Sequence, residues 1–394
     1  MSAKNNHTIL ALPSWYPNKT APFEGDFIQR HIHAIGLQKQ QYVIYVVKDK
    51  DGNITNDVTI EKTESDNVTE LICYYRSFKT GIGIADKLIS HAKYLSIYKK
   101  LITAFIKENG LPVLVHVHVA LKAGILAKWL KKKFHLPYLV TEHWSGYFPG
   151  SDLNIYEANR VLRNSNKTIL QQAAVMVPVT KNLGDTICSF FVPVNYTVIP
   201  NVVNTALFYY KPFTPPKFRF IHPSGMDEMK NPAGILKACK LVKEKGYHFE
   251  LLMLGKTDKS LITAAADLAI GDCVSFSAAV PYEEVAVQMQ QSSALVLFSW
   301  FESLPCVLLE ALCCGLPVIS TNVGGISEVI DSTNGSLVEA GNIEQLAVAM
   351  CELIDNNTQY NRKDIAFKAT EKFNYTTVGK QYVALYEKYS KSIV

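Results

Sequence analysis

The chain has 394 residues, 48% of them hydrophobic, and a formal net charge of +5 at pH 7. A chain of this length and composition buries enough apolar surface to form two domains. The small net charge argues against a dedicated nucleic-acid binder. The eight cysteines include no C-x-x-C pair and stand mostly in apolar runs. We therefore expect buried thiols in a reducing compartment, without a disulfide framework or a metal site.

The amino terminus shows no export signal. Its apolar run, TILAL at 8–12, ends at Pro13 and is too short for a signal peptide or a membrane anchor. No later stretch reaches the ~18 consecutive apolar residues typical of a membrane-spanning helix. We expect a cytoplasmic protein, and we leave open a peripheral contact with the inner face of a membrane.

Strands and helices alternate through the first half of the chain. After the first strand, a loop to Gly25 leads into a helix that carries Phe27, Ile28, Ile32 and Ile35 at helical spacing. Further strands are predicted at 42–47, 71–76, 113–119, 137–143 and 173–180, further helices at 86–107 and 121–134, and a polar excursion at 49–67. This alternation predicts crossover units and a parallel sheet that binds ligands at the carboxyl ends of its strands.

The pattern restarts after a proline-rich link near Pro200. Strands are predicted at 218–225, 249–255, 273–277, 294–298 and 317–320, a helix at 231–246 and a last helix at 376–391. The second half therefore predicts another parallel-sheet domain, and two such halves suggest a ligand cleft between them.

Two carboxylates, Glu302 and Glu310, bracket a helix start in the stretch FESLPCVLLEALCCGLPVIS. If most of the intervening span is helical, they lie roughly 10 Å apart, about the distance from the sugar to the ribose in a nucleotide sugar. The free N–H groups between them favour a diphosphate. The simpler interpretation is a solvated loop carboxylate and a helix-surface one. Against it, Glu310 stands in the apolar run VLLEALCC, where an unpaired carboxylate is costly to bury, so we expect a partner or a ligand.

The start of this helix has its own signals. Ser303 is a good N-cap candidate, and Pro305 fits the first helical turn, so we expect the helix to begin near Leu304. Gly315 is predicted to adopt the left-handed backbone conformation that commonly follows the last residue of a helix.

Lys230 directly precedes Asn231 and Pro232, which fit the N-cap and first residue of a helix. A cation beside the positive end of a helix dipole is unfavourable unless an anion binds there. Lys230 is therefore a candidate phosphate ligand, although a solvated surface lysine explains this feature equally well.

His116 and His118 alternate on VHVHV, so their side chains lie on one face of that strand. No third ligand stands at usable spacing, so we expect no metal site. His118 is nearer the carboxyl end and is the better active-site candidate. His143, which follows Glu142, occupies the equivalent end of the next strand.

The segment LAKWLKKKF at 126–134 combines aromatic and apolar residues with four lysines. It fits an anionic membrane surface. A solvated helix face is the simpler interpretation.

Several stretches resemble the retaining glycosyltransferases of family 4, which have the GT-B fold. The resemblance covers most of the chain and is strongest from about Tyr196 to Gly341. It rests on VIPNVVNTALF, PSGMDEMKN and the string from VSFSAAV to GGISEVI, which contains the Glu-x7-Glu pair. In the first half, SWYPNKTAPFEGDFIQRH and VHVHVALKAGILA are similar to the corresponding family segments.

The resemblance implies an α/β protein of the GT-B fold, with two Rossmann-like, doubly wound parallel-sheet domains facing a central cleft. It implies an acceptor-binding domain at 1–203, a nucleotide-sugar-binding domain at 204–375, and a carboxyl-terminal helix at 376–394 that crosses back to the first domain.

The resemblance also assigns roles. Glu302 would contact the transferred sugar, Glu310 the ribose hydroxyls and Lys230 the diphosphate, while His118 would approach the sugar from the opposite domain. The remaining donor-side positions are Gly225, Ser303, Leu304, Pro305 and Cys306, and the acceptor-side positions are Gly25 and His143.

Three positions depart from the family pattern. Met226 stands where an arginine usually joins the lysine on the diphosphate, and Asn204 stands where aspartate is common. The amino-terminal loop lacks the usual paired glycines. Binding of the diphosphate would therefore depend on Lys230 and on helix amides.

The sequence thus predicts a metal-independent, retaining enzyme that moves a sugar from a UDP- or GDP-sugar to the hydroxyl of a glycan or lipid-linked acceptor. The predicted setting is the synthesis of cell-surface polysaccharide or of a lipid-linked glycan, with no cofactor besides the nucleotide sugar and no nucleic-acid partner. A GT-B sugar-nucleotide epimerase and a non-catalytic nucleotide-sugar-binding protein are the alternatives.

Overall fold

The computed structural model describes residues 7–49, 52, 54, 56–76, 83–151, 154–256 and 258–390. Its chain divides into two compact units. Unit 1 comprises Met1–Val179, Gly184–Pro200 and Tyr375–Val394, and unit 2 comprises Thr180–Leu183 and Asn201–Asn374.

Unit 1 is built on a sheet of seven strands with helices packed against it. Its elements are β1 (Ile9–Pro13), α1 (Asp26–Gly36), β2 (Gln41–Lys48), β3 (Val58–Ser65), β4 (Val68–Tyr75), α2 (Gly83–Asn109), β5 (Leu114–His118), α3 (Leu121–Phe134), β6 (Tyr138–Glu142), α4 (Arg160–Gln172) and β7 (Val175–Pro178). The strand order is β3-β4-β2-β1-β5-β6-β7, and all neighbours are parallel except β3 and β4. The strands β1, β5 and β6 are buried along their whole length, as expected for central strands covered on both faces.

The strand β3 was not predicted. It lies within the polar stretch 49–67 and pairs antiparallel with β4 at the edge of the sheet. Most of its residues are exposed, so no buried face imposes a hydrophobic alternation on its sequence. Charged residues on such a strand also discourage pairing with another chain.

The short helix α5 (Lys181–Thr186) begins in unit 2 and ends in unit 1. The chain then continues through a π-helical turn, Ile187–Phe191.

Unit 2 is built on a six-stranded, wholly parallel sheet. Its elements are β8 (Phe218–Ser224), α6 (Pro232–Glu244), β9 (Phe249–Gly255), α7 (Lys259–Asp267), β10 (Val274–Ser277), α8 (Tyr282–Gln290), β11 (Ala294–Leu297), α9 (Cys306–Cys313), β12 (Val318–Thr321), β13 (Gly335–Val338), α10 (Ile343–Asp355) and α11 (Arg362–Phe373). The strand order is β10-β9-β8-β11-β12-β13. The core of one face joins the buried sides of α6 and α10 to the central strands.

The last helix, α12 (Tyr375–Ser390), is part of unit 1. It packs against α1, where Gly379 lies so close to the carbonyl oxygen of Ala34 that a Cβ atom would be 2.4 Å from it. The Tyr386 hydroxyl forms a 2.6 Å hydrogen bond with Nδ1 of His116 on β5. These contacts fix α12 against the unit 1 sheet.

No helix in the part of the chain that the structure describes is long and apolar enough to cross a membrane.

Candidate functional site

Unit 2 brings together two of the predicted catalytic residues, which are 72 positions apart in the chain. The Nζ atom of Lys230 lies 2.6 Å from Oε1 of Glu302. The hydroxyl of Ser299, two residues after the end of β11, donates to the same oxygen at 2.7 Å. No described residue hydrogen-bonds Oε2 of Glu302, so this oxygen is available to a ligand. The Glu302 residue is only 8% exposed.

The position of Lys230 follows from the start of α6. As predicted, Asn231 is the N-cap of that helix, and its side-chain oxygen accepts from the N–H of Gly234 at 3.1 Å. Pro232 is the first helical residue, where a missing N–H has no cost. Lys230 therefore stands beside the positive end of a 13-residue helix.

The pKa of Lys230 shows how the pair is balanced. Burial alone would lower the pKa of this ammonium group, but the adjacent Glu302 carboxylate outweighs burial and holds the pKa above its usual value. Lys230 is therefore charged at neutral pH. A partly buried cation of this kind persists because it is paired, and an incoming anion can compete for it.

The helix between the two glutamates begins later than predicted. Its first residue is Cys306 and its N-cap is Pro305, with no side-chain capping bond. Ser303 is therefore not the cap, and Leu304 is not in the helix. The reason is steric, because the residue before a proline is driven out of helical geometry.

Ser303 is instead a buried polar residue next to the ion pair. It is 6% exposed, and its hydroxyl has no hydrogen-bond partner among the described residues. The carbonyl oxygen of Leu304 accepts from the side chain of Asn201 at 2.6 Å. The segment from Ser303 to Pro305 is thus held in place without regular structure, and the first amides of α9, at Cys306 and beyond, have no partner within the helix.

Glu310 lies inside α9, is 4% exposed, and does have a partner, as expected. The hydroxyl of Tyr282, the first residue of α8, donates to Oε1 of Glu310 at 2.6 Å. The Tyr282 ring packs on Phe208 at a centroid distance of 4.8 Å. The sequence carries no local signal for this contact, because Tyr282 and Glu310 belong to different helices.

The backbone at Glu302 is closely packed against the turn that follows β12. At Gly324, where φ is +55°, a Cβ atom would lie 1.7 Å from the carbonyl oxygen of Glu302. The neighbouring amide of Gly325 donates to the carbonyl oxygen of Ser303 at 3.1 Å. Only glycine fits at 324, so this turn fixes the backbone that carries Glu302.

Gly225 and Met226 follow the carboxyl end of β8. Gly225 is exposed. Met226 adopts a left-handed φ of 56°, and its amide donates to the hydroxyl of Ser224 at 3.0 Å. Its side chain is buried in the core of unit 2. The side chain at the usual arginine position is therefore part of the core and contributes no cation.

In unit 1, His118 ends strand β5 and is fully buried. Neither of its ring nitrogens has a hydrogen-bond partner among the described residues. Burial, reinforced by the nearby His116, His143 and His31, lowers the pKa of His118 well below its usual value. His118 is therefore a neutral imidazole, with one donor and one acceptor that no described residue satisfies.

His116 differs from His118 although the two share one face of β5. Its ring nitrogens bond to the hydroxyls of Tyr386, at 2.6 Å, and Thr141, at 2.7 Å. Burial lowers its pKa to about 3. His116 is thus a fully bonded core residue, consistent with the choice of His118 as the better candidate.

The turn after His118 is strained and held by several hydrogen bonds. Val119 has a φ of 66°, which is rare for a β-branched residue. Its amide donates to the carbonyl oxygen of Thr141 at 2.8 Å, and its own carbonyl oxygen accepts from the hydroxyl of Ser14 at 2.8 Å. Such strain persists only where the surroundings over-determine the conformation, and it clusters at functional sites.

Glu142 also supports this turn. Its Oε1 atom accepts from the amide of Ala120 at 2.8 Å and from the hydroxyl of Tyr147 at 3.1 Å. Burial raises the pKa of Glu142 to about 7, against the hydrogen bonds that lower it. Sequence reasoning placed Glu142 only as the neighbour of His143 and missed this contact with the turn after β5.

The two predicted acceptor-side residues have structural surroundings in unit 1. Gly25 is the N-cap of α1 with a φ of 69°, and a Cβ atom there would lie 2.5 Å from the carbonyl group of Trp15. His143 is 8% exposed, and its ring lies 4.8 Å from that of Phe27.

The basic segment 126–134 forms most of α3. Its Trp129 ring has the Lys133 ammonium at 5.3 Å and the Lys99 ammonium of α2 at 5.7 Å from its centroid. Lys131, Lys132 and Lys133 are exposed, and Lys128 is half-buried and donates to the hydroxyl of Thr168 at 2.6 Å. Contact with a membrane stays a prediction.

A cavity of about 580 Å³ lies elsewhere in unit 2, lined mainly by residues 327–334 and 359–373. It contains none of the predicted donor-side residues. Because Lys230, Glu302 and Glu310 all lie outside its lining, we do not assign this cavity to the candidate site, although it is large.

The chain resembles known glycosyltransferases. Residues 211–371, most of unit 2, match the family model described as Glycosyl transferases group 1. An uncharacterized glycosyltransferase of Methanocaldococcus jannaschii is 28% identical over 279 residues, which is 68% of this chain and 74% of that protein. The amylovoran biosynthesis glycosyltransferase AmsK of Erwinia amylovora is 31% identical over 144 residues, 34% of this chain and 35% of that protein.

Among solved structures, Anabaena HepE in complex with UDP matches with a TM-score of 0.72 at 14% identity, covering 97% of this chain and 100% of that chain. At this identity the match shows the fold alone. The predicted α/β fold with two Rossmann-like domains is confirmed. The family match and the relatives support a glycosyltransferase of the GT-B fold.

Proposed function

We propose that this protein transfers a sugar, with retention of anomeric configuration, from a nucleotide-diphosphate sugar to an acceptor hydroxyl. The observation that carries the proposal is the partly buried Lys230–Glu302 pair beside the start of α6, at 2.6 Å. The Lys230 ammonium can bind a diphosphate, and the Glu302 carboxylate, in direct contact with it, can face a sugar. Glu310, within the adjoining helix α9, is suited to accept from the ribose hydroxyls.

Breaking the sugar–phosphate bond develops positive charge on the sugar and negative charge on the leaving diphosphate. Lys230, with the first amides of α9, would stabilise the diphosphate. The free Oε2 of Glu302 would face the developing positive charge on the sugar. Because Lys230 and the amides bear the phosphate charge, the proposed reaction needs no metal ion.

The proposed transfer takes place on one face of the sugar. The acceptor oxygen bonds to the anomeric carbon as the bond to the diphosphate breaks, and the hydroxyl proton passes to the departing phosphate. His118, as a neutral imidazole, is proposed to hydrogen-bond the transferred sugar. The names of the relatives suggest a role in polysaccharide biosynthesis.

Product analysis tests this proposal. A thermal-shift screen across UDP- and GDP-sugars comes first, because a ligand that binds only the folded state raises its stability. The best donor, isotopically labelled, is then incubated with candidate glycan acceptors in the presence of a metal chelator. We expect a product with the donor's anomeric configuration.

An inverted product would contradict the retaining mechanism. Formation of an epimer without any acceptor would instead identify a sugar-nucleotide epimerase. Binding without turnover, unchanged in a Glu302→Ala variant, would identify a non-catalytic nucleotide-sugar-binding protein.

A further inference from the structure

Unit 1 contains a cavity of about 360 Å³ at the carboxyl ends of three parallel strands, which we call the strand-end cavity. Its lining includes Ser14 directly after β1, Lys48 at the end of β2 and Tyr75 at the end of β4. Ligands of open α/β sheets bind outside the carboxyl ends of the strands. The amide of Ser14 also donates to the carbonyl oxygen of His118 at 2.9 Å, so this cavity adjoins the turn after β5.

Four of the thirteen residues that line the strand-end cavity are aromatic. Trp15, Tyr45, Tyr75 and Tyr94 line it, and the three tyrosines are almost fully buried. Rigid aromatic rings offer flat apolar area, which suits the C–H face of a sugar ring. This lining favours a carbohydrate over a small inorganic ion.

A carboxylate in the same cavity can recognise hydroxyl groups. Glu24 lines the cavity, and its Oε2 atom accepts from the hydroxyl of Tyr45 at 3.3 Å and from the side-chain amide of Asn18 at 3.4 Å. No described residue hydrogen-bonds its Oε1 atom. That oxygen can accept from the hydroxyls of a bound sugar.

Two lysines also line the cavity. Lys48 is half-buried and Lys122 is exposed, and neither forms an ion pair or a hydrogen bond with any residue that the structure describes. Other lysines of unit 1 do find partners, such as Lys93 with Asp57 at 2.5 Å. Among the described lining residues, two lysines stand against one carboxylate, and this net positive charge favours an anionic group on the ligand.

The local helix adds to this positive potential. Lys122 is the second residue of α3, whose first turn contains no acidic side chain. A cation is unfavourable beside the positive end of a helix unless an anion offsets it. The helix is a supporting feature, and the two lysines, the carboxylate and the aromatic lining define the cavity.

We infer that the strand-end cavity binds the acceptor, and that the acceptor is a sugar bearing an anionic group, either a carboxylate or a phosphate. The aromatic rings hold the sugar ring, Glu24 accepts from its hydroxyls, and Lys48 and Lys122 pair with the anion. This inference rests on the glycosyl transfer proposed above and adds the chemical class of its acceptor.

Three probes that share one sugar test the inference, namely methyl glucoside, methyl glucuronide and glucose 6-phosphate. Their dissociation constants are measured by saturation-transfer NMR titration at low salt, with wild-type protein and a Lys48→Gln/Lys122→Gln double variant. Lys132→Gln is the matched control, because Lys132 is an exposed lysine of α3 outside the cavity lining.

We expect at least one of the two acidic probes to bind wild-type protein about 10-fold more tightly than methyl glucoside, as two partly exposed lysine–anion contacts would give. The double variant should lose this preference and the control should keep it. Tighter binding of the glucuronide assigns a carboxylate acceptor, and tighter binding of glucose 6-phosphate assigns a phosphorylated one. Equal binding of neutral and acidic probes, a preference that survives in the double variant, or no binding of any probe would overturn the inference.

Nucleotide-sugar binding and turnover, measured on the same samples, separate this inference from the proposed function. If the protein binds acidic sugars through the two lysines but turns over no nucleotide sugar, the proposed transferase activity is contradicted and the inferred specificity of the cavity is supported. Turnover with neutral acceptors, undiminished in the double variant, would contradict the inference alone.

Discussion

The candidate site residues of the two units keep opposite charge states. In unit 2, the partly buried Lys230 and the buried Glu302 keep their charges as a pair at 2.6 Å, and the carboxylate raises the pKa of the lysine. In unit 1, burial lowers the pKa of His118 well below its usual value and raises that of Glu142 to about 7. Lys230 and Glu302 thus keep their charges by pairing, whereas burial keeps His118 neutral.

This difference matches the ligands proposed for the two units. A buried ion pair costs desolvation energy that its attraction only partly offsets, so it is retained where its charges have a use. A diphosphate and a developing sugar cation supply that use in unit 2. A neutral imidazole such as His118 costs less to bury and still offers a donor and an acceptor to a sugar hydroxyl.

A Glu302→Gln substitution removes one charge of the unit 2 pair at nearly constant volume. We expect sugar transfer to fall ~10²- to 10³-fold, because the developing positive charge on the sugar loses its carboxylate. Binding of the free nucleotide diphosphate should not weaken, since Lys230 is released from its partner. Initial rates and calorimetric titration measure the two effects.

Glu283→Gln, on the exposed first turn of α8, is the control for the loss of a carboxylate in unit 2. If the Glu302→Gln variant transferred sugar at the wild-type rate, the ion pair would have no catalytic role.

A Gly324→Ala substitution tests whether the unit 2 pair depends on its backbone support. The new Cβ atom would lie 1.7 Å from the carbonyl oxygen of Glu302, at a positive φ. We expect the free energy of unfolding to fall by about 3 kcal/mol, because alanine is strained in the left-handed backbone conformation and its Cβ atom overpacks the site. Denaturant titration measures it.

The matched glycine is Gly271, also in unit 2, where a Cβ atom would meet nothing within 4 Å. Gly271→Ala should change the free energy of unfolding by less than about 1 kcal/mol. Equal effects of the two substitutions would show that the turn at Gly324 does not constrain Glu302.

A Glu142→Gln substitution tests the suppressed charge in unit 1. The Glu142 pKa is about 7 in the folded chain, against an ordinary 4.5, so the folded state holds a proton that the unfolded state releases. The free energy of unfolding should therefore fall as pH rises from 4.5 to 7, by up to about 3 kcal/mol, and the variant should lack this contribution. Urea titrations at several pH values measure it.

Glu70 is the natural counterpart, because its pKa is lowered to about 2: burial raises it, but hydrogen bonds from His33, Tyr16 and Gln29 outweigh burial. Its contribution to stability is present above pH 4.5 and is lost as pH falls towards 2, so Glu70→Gln should alter the acid limb only. A wild-type slope between pH 4.5 and 7 that persists in Glu142→Gln would contradict a neutral, buried Glu142.

A His118→Gln substitution should have the smallest of these effects. We expect transfer to fall about 10-fold, as for the loss of one or two hydrogen bonds to the sugar, with nucleotide affinity within about 2-fold of wild type. Since His118 is neutral, the wild-type pH–rate profile should show no dependence on its protonation between pH 5 and 8.

His91→Gln, at an exposed position of α2, controls for the loss of an imidazole in unit 1. A weakening of nucleotide binding as large as the loss of transfer would show that His118 supports structure rather than the sugar.

Sequence reasoning recovered the parts of the fold that local patterns encode. The buried strand β1 is a continuous apolar run, β5 and β6 are rich in apolar residues, and α3 has the predicted bounds. The N-cap at Asn231 was also found, because capping depends on adjacent residues. The expected helix start at Leu304 was wrong, because the steric effect of Pro305 on its predecessor outweighs the capping signal of Ser303.

The contacts that define the candidate site are long-range and carry no such pattern. The hydrogen bond between Glu302 and Lys230 joins residues 72 positions apart in the sequence, and that between Glu310 and Tyr282 joins residues 28 positions apart. The apolar context of Glu310 predicted that a partner exists, but its identity depends on how α8 packs beside α9. The role of His118 at the sugar and the acceptor-side place of Gly25 came from the family resemblance, whereas His143 was chosen for its place at a strand end. All three stay predictions.

The most direct test of the central claim is the dissociation constant of the nucleotide diphosphate that best stabilises the protein. It is measured for wild-type protein, for Lys230→Ala, and for Lys259→Ala as an exposed control in unit 2. A thermal melt of each variant verifies that it is folded. We predict a loss of about 100-fold for Lys230→Ala and less than about 2-fold for the control, because a partly buried lysine–phosphate contact is charge-assisted. Unchanged affinity in folded Lys230→Ala protein would contradict the assignment of the Lys230–Glu302 pair as the donor site.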